Sequence, residues 1–301
     1  MSRFQLLIPA DVSRTVLDWF GADGQTWLAG LPELVHRLVE EWQLEIGSPF
    51  AGGSASLVLE VTRDDGTPAV LKVPFLDDES CTEPDALRHY DGVGAVRLYD
   101  TDRHSGAMLL ERVTPGTSLA MHPDPDAALE IACRLLRRLW LPPKAPHRFR
   151  SVNDLAMEWA RDIPARHIQH GCPFPSALID NAVTLASTLA HADGRQVVVN
   201  RDAHLGNILA SEREGWLLID PKPLVGDGSF DAGYLLLDRL GQASTSTATD
   251  RLVGQLASGL GVDERRVRGW AILRAVENAL WALDVKASAD PHLAKATLLD
   301  V

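Results

Sequence analysis

Apolar side chains recur at two periods along the chain, and the changes of period divide it. In LPELVHRLVEEW (31–42), Leu31, Leu34, Leu38 and Trp42 fall at helical spacing. VSRTVLDWF before it also reads as a helix, with Asp11 placed to cap it. The period then shortens to two. SASLVLEVT (54–62) and AVLKVPF (69–75) are rich in β-branched side chains and flank Asp64-Asp65-Gly66-Thr67, which predicts a hairpin. A helix is predicted from about Asp78 to Tyr90, and Ala95–Asp100 and Ala107–Arg112 read as two more strands. Residues of roughly 45–112 therefore amount to a small sheet with one helix.

TPGTSLAMHPDPD (114–126) breaks both periods and is rich in Pro and turn residues, so it reads as a linker. Beyond it helical spacing dominates, over 124–141, 151–169, 175–192, 248–259 and 263–286. Residues 196–220 are the exception, with short strands around a polar loop. The expected class is α+β. A smaller β-rich part with N-terminal helices takes residues 1–113, a linker 114–123, and a larger α-rich part 124–301. A cleft between two such lobes is a common place for a ligand.

Composition narrows the partners. Hydrophobic residues make up 46% and charged residues 23% of the 301, enough for a packed core. A net charge of −12 argues against nucleic acid or an anionic membrane as partner, since both select basic surfaces. It is compatible with a cationic small molecule, but many proteins are acidic with no such ligand. The three cysteines, Cys81, Cys133 and Cys172, have neither metal-ligand spacing nor the look of a disulfide framework, and Cys133 falls in an apolar helical pattern. With no long apolar run at the N-terminus or elsewhere, the chain is expected in the cytoplasm.

The candidate chemistry lies in an ordered series. Gly52, Gly53, Ser54 and Ser56 precede a strand and supply donors that an anion can approach; a plain turn is the alternative. Lys72 sits in the next strand between Leu71 and Val73, either snorkelling at an edge or held inward by an anionic partner. Glu83, beside Pro84 at a helix start, is a candidate for that partner, and Glu79 is another. Asp202 and Asn207 then have the spacing D-x-x-x-x-N, and Asp220 ends the apolar run WLLID. Phosphoryl transfer from ATP uses this set: a carboxylate to orient a hydroxyl (Asp202), an amide oxygen and a carboxylate for Mg²⁺ (Asn207, Asp220), and a lysine on the phosphates (Lys72).

With these motifs the chain resembles the aminoglycoside phosphotransferase group, which is similar in fold to protein kinases. Within it the chain is most similar to the aminoglycoside 6-phosphotransferase and hydroxyurea phosphotransferase branch. GGSASLVLEV, GTPAVLKV, EPDALR, GAVRLYD, LLERVTPGTSL, DAHLGNIL, WLLIDPKPLVGDGSFD and RAVENALWALD carry the likeness across about residues 40–285. IDPKPLVGD is the most specific, because Asp-Pro-Lys stands where protein kinases typically have Asp-Phe-Gly. The resemblance implies a two-lobed, protein-kinase-like fold and ATP-dependent phosphorylation of a hydroxyl on an aminocyclitol antibiotic such as streptomycin. It also implies an adenine position near Glu111, Arg112 and Val113. Two departures stand in the loop: Asn200-Arg201-Asp202 replaces the frequent His-Gly-Asp, and Ala203 replaces a larger apolar residue. Asn200 retains hydrogen-bonding capacity to brace the loop, and His204 is expected to order it by bonding backbone, with an approach to the nucleotide phosphates or the substrate as the alternative.

For a cationic acceptor, Glu277, Trp281 and Asp284 share one helix face at i, i+4 and i+7; a solvated face with Trp281 in the core is the alternative. Asp227, Asp231 and the Glu158-Trp159 pair are further candidates, and the resemblance favours Asp231 as a brace for the loop. Two other functions stay open: a kinase of a sugar, amino sugar or other metabolite, and a nucleotide-binding protein without catalysis.

Overall fold

The computed structural model describes residues 6–50, 55–191, 194–241 and 245–300. The chain forms two compact units, Met1–Gly116 and Thr117–Val301.

In the first unit the two expected N-terminal helices are one element, α1 (Ala10–Glu41), bent at Gly21 (φ 52°, ψ −121°) and continuing through Pro32. Glycine is required at that bend because the conformation is closed to residues with a Cβ. Asp11 does not cap the helix. Pro9 holds the N-cap position, and Asp11 lies in the first turn, accepting from the Val12 N–H at 3.0 Å, where its charge still suits the helix dipole. The strands β1 (Glu45–Pro49), β2 (Ser56–Thr62) and β3 (Pro68–Pro74) precede α2 (Glu83–Tyr90), with β4 (Leu98–Thr101) and β5 (Met108–Glu111) after it. They make one antiparallel sheet in the order β1-β2-β3-β5-β4. The alternation in β2 turns Leu57, Leu59 and Val61 onto Leu31, Val35 and Leu38 of α1, with Leu71, Val73 and Leu109 beside them. Each fully buried aliphatic side chain here contributes about 1.5–3 kcal/mol.

A short strand, β6 (Pro115–Ser118), and a turn of 3-10 helix, Leu119–Met121, occupy most of the stretch read as linker. The second unit continues with α3 (Pro125–Leu139), β7 (Arg150–Ser151), α4 (Val152–Gln169) and α5 (Ser176–Ala190). Then come β8 (Val197–Asn200), β9 (Ile208–Ser211), β10 (Gly215–Leu218) and β11 (Pro223–Gly226). Four helices close the chain: α6 (Ser229–Arg239), α7 (Ser246–Leu260), α8 (Glu264–Asp284) and α9 (Asp290–Leu299). Strand β11 runs antiparallel to β8 and parallel to β7, while β9 pairs antiparallel with β10. These pairs fix both ends of the loop that begins after Asn200.

Helix α6 was not expected from its Gly-containing sequence, since glycine inside a helix costs about 1 kcal/mol relative to alanine. Gly233 is there for packing: a Cβ on it would meet Trp270 Cβ of α8 at 2.5 Å. Among the described residues no helix is long and apolar enough to cross a membrane.

Candidate active site

In the first unit, Lys72 lies mid-strand in β3, opposite Val58 and Met108 of the neighbouring strands. Glu83 opens α2, with Pro84 in the first turn. The Lys72 Nζ donates to both Glu83 oxygens at 2.7 Å, and the two residues are only 7% and 1% exposed. A central strand and a helix start thus hold opposite charges together out of water. Glu83 is thus the partner that grips Lys72. Ser56 begins β2 opposite Pro74. Gly53 and Ser54 lie outside the described residues. Glu111 is engaged within the sheet: its N–H donates to the Arg97 carbonyl at 2.9 Å and its carboxylate accepts from the Arg97 N–H at 3.0 Å. Val113, partly buried, follows the end of β5.

In the second unit the loop from Asn200 to Asn207 is fixed chiefly by side chains. The Asn200 Oδ1 accepts from the N–H of Asp202 at 3.1 Å and of Lys222 at 2.8 Å. Asn200 is therefore a brace between the loop and the Asp-Pro-Lys segment. His204 caps the 3-10 turn Leu205–Asn207, accepting from the Gly206 N–H at 3.0 Å. Asp238 of α6 accepts from the Leu205 N–H, and the Ser118 hydroxyl donates to the Leu205 carbonyl.

At the centre is the Asp202 carboxylate. Its Oδ1 accepts from the Tyr234 hydroxyl at 2.8 Å and its Oδ2 from the Asn207 Nδ2 at 3.2 Å. The Lys222 Nζ and His204 Nε2 stand 3.6 and 3.7 Å from Oδ2. Because the Asn207 amide nitrogen faces Asp202, its carbonyl oxygen is turned the other way. The Asn207 main-chain carbonyl accepts from the Ile219 N–H at 2.8 Å, which ties Asn207 to the residue before Asp220. Asp220 itself adopts φ 51°, a left-handed conformation that Asp tolerates better than bulkier residues and that turns the chain sharply after β10.

Asp231 is 1% exposed, and its oxygens accept from the Asn200 N–H at 2.7 Å and the Trp140 indole N–H at 2.8 Å. Burial pushes this carboxyl up to about 8, against the opposing pull of those two donors. With its oxygens buried and engaged by these two donors, Asp231 braces the end of β8. The other acceptor candidates are also partly engaged. Arg166 of α4 donates to Glu277 at 3.5 Å and to Asp284 at 2.6 Å, and Asp284 also pairs with His170 at 2.7 Å. Trp281, 41% exposed, is not in the core. Glu158 pairs with Arg150 and Asp227 with Arg266, while Trp159 is buried.

Tyr234 and Arg274 escaped the sequence reading. Arg274 falls in a stretch whose helical period signals only packing, Tyr234 in one not read as helical, and nothing local marks either as a neighbour of Asp202.

The aminoglycoside/hydroxyurea antibiotic resistance kinase family matches residues 41–286. A streptomycin 6-kinase of Streptomyces glaucescens is 37% identical over 289 residues, covering 94% of each chain. The chain belongs to this kinase family. A second relative, a hydroxyurea phosphotransferase of Kitasatospora aureofaciens, is 36% identical and covers 92% of this chain and 80% of its own. Among solved structures, a choline kinase from Streptococcus pneumoniae superposes with a TM-score of 0.63 at 14% identity, covering 90% of this chain and 97% of that one. That likeness is one of fold, and it identifies this resistance-kinase family member as protein-kinase-like.

Proposed function

We propose that the protein transfers the γ-phosphoryl group of ATP to a hydroxyl of streptomycin or a closely similar aminoglycoside, and so inactivates the antibiotic in the cytoplasm. The observation that carries the reading is the Asp202 carboxylate, fixed through Oδ1 by Tyr234 and adjoined at Oδ2 by Asn207. The full-length similarity to a streptomycin 6-kinase supports the choice of acceptor.

Asp202 orients the acceptor hydroxyl and takes its proton as the acceptor oxygen bonds to the γ-phosphorus and the bond to the departing ADP oxygen breaks. Lys72, aimed by Glu83, steadies the nucleotide phosphates. The donor set fits Mg²⁺: Asn207 offers an amide oxygen and Asp220 a carboxylate, hard ligands few enough for an ion that is completed by water and phosphate oxygens. The chemistry a bound Mg²⁺ supplies is neutralisation of charge on the phosphates. Lys222, near the reacting oxygen of Asp202, adds positive charge on this chain's own account. Glu277, Trp281 and Asp284 are proposed to receive a cationic part of the acceptor, in exchange for the contacts of Glu277 and Asp284 with Arg166.

The similarity to a hydroxyurea phosphotransferase favours a second reading, with hydroxyurea as acceptor. One experiment separates the two. The protein is incubated with Mg-ATP and, in turn, streptomycin, other aminoglycosides, hydroxyurea, sugars and amino sugars, and each acceptor is weighed by mass spectrometry. One added phosphoryl group on streptomycin is expected. Phosphorylation of hydroxyurea or a sugar alone would replace the acceptor, and no product with any acceptor would overturn the reading.

A further inference from the structure

We infer that Tyr234 is a positioning residue for the Asp202 carboxylate, held in place by the guanidinium of Arg274. The inference rests on the phosphotransfer reading of Asp202 and adds to the transfer machinery two residues outside the loop.

The two carboxylate oxygens of Asp202 are unequal. Oδ1 accepts a directional hydrogen bond from the Tyr234 hydroxyl at 2.8 Å. Oδ2 has the Asn207 amide at 3.2 Å and the Lys222 and His204 nitrogens at 3.6 and 3.7 Å. Oδ1 is committed to the shorter, directional bond from Tyr234, and Oδ2, whose contacts are all longer, is assigned to take the proton. Rotation of the carboxyl group would exchange the two, and the bond from Tyr234 opposes that rotation. Burial, and then the negative charge of Asp202, push the Tyr234 phenol well above the ordinary range, so it remains a neutral donor.

Arg274 couples the phenol to the loop. Its guanidinium lies 4.8 Å from the centre of the Tyr234 ring and 5.6 Å from that of Trp159. Its Nη2 donates to the carbonyl of Arg201, the residue before Asp202, at 3.3 Å. One cation therefore packs on the ring whose hydroxyl holds the carboxylate and bonds the backbone from which that carboxylate springs. The placement depends on the close crossing of α6 and α8 at Gly233, next to Tyr234.

A tyrosine that merely filled space would give the same picture, and kinetics separates the two roles. In Tyr234→Phe the ring stays and the donor goes. With streptomycin and Mg-ATP, kcat is expected to fall about 10- to 100-fold, as for loss of alignment at a reacting group, with KM for ATP within about twofold of wild type. Introduced into Asp202→Asn, the same change is expected to add no further loss, because Tyr234 acts through the carboxylate. Wild-type kcat in Tyr234→Phe, or a full additional loss in the Asp202→Asn background, would overturn the inference. If Tyr234→Phe fails to fold, Arg274→Met keeps the phenol and loosens it; a smaller fall in kcat with KM for ATP unchanged is expected, and an unaltered rate would overturn the inference. A wild-type protein that phosphorylates no acceptor would instead remove the functional reading, and this inference with it.

Discussion

The two units solve one problem, holding a charged side chain still, by opposite means. In the first, Lys72 and Glu83 stand on regular elements and neutralise each other away from water. In the second, Asp202 stands on an irregular loop and is held by neutral donors, with Lys222 and His204 only nearby. A buried ion pair is rigid because either charge alone is costly to leave in the interior. On the proposed reading Asp202 accepts a proton, and the shorter of its hydrogen bonds, from the neutral Tyr234 hydroxyl, fixes its direction while the Lys222 ammonium stays at 3.6 Å, farther than Lys72 stands from Glu83. Rigidity in the first unit comes from electrostatics, and in the second from a network.

The difference is broken most sharply at Asp202. Asp202→Ala is expected to lower kcat by about a hundred- to ten-thousandfold, the span of a lost general base, while calorimetry finds Mg-ATP binding largely retained. The counterpart in the first unit is a loss of stability. Glu83→Ala leaves the Lys72 ammonium buried without its carboxylate and is expected to cost about 3–5 kcal/mol in denaturant unfolding. Next in size is Asp231→Ala, which strands the Asn200 N–H and the Trp140 indole N–H; at about 1–3 kcal/mol for each unsatisfied donor, the unfolding midpoint falls and transfer activity falls with it.

Acidity sharpens the contrast with smaller effects. In the first unit burial pushes the Asp102 carboxyl up, but the Ser105 hydroxyl, the Arg37 guanidinium and the His104 N–H outweigh it and bring it down to about 2. A carboxyl lowered by folding adds stability above its unfolded value of about 4, and that stability is lost as the pH falls toward 2. Asp231 in the second unit is raised to about 8, so its contribution is complete below about 4 and is lost as the pH rises through 8. Melting temperatures against pH are therefore expected to converge at acid pH for wild type and Asp102→Asn. The advantage of wild type over Asp231→Asn is expected to shrink at alkaline pH.

The same contrast explains what could be read in the sequence. Lys72 and Glu83 were visible because each sits at a position regular structure makes unusual: a lysine inside an apolar strand and a glutamate at a helix start. Asp202, Asn207 and Asp220 were visible as a spacing. The residues that hold them were less so. Asn200 and His204 lie within the loop and were anticipated as braces. Tyr234, Arg274 and Asp238 reach it from helices tens of residues away, and nothing in the residues around them points to the loop. Helix α6 itself was missed because Gly233 reads as a helix breaker until α8 is seen pressed against it. Strand β1 and helix α9 carry short or weak periods and gain their form from neighbours. For the acceptor, the face of Glu277 and Asp284 was read without Arg166, which approaches from α4, 111 and 118 residues away.

The role of Asp202 is tested by a rapid-quench single turnover with enzyme in excess of Mg-ATP and with saturating streptomycin, run on wild type and Asp202→Ala. Wild type is expected to move one phosphoryl group onto the antibiotic in a single exponential, with Asp202→Ala binding Mg-ATP but transferring at least about a hundredfold more slowly. Equal transfer rates in the two proteins would contradict the assignment of Asp202 as the residue on which the chemistry turns.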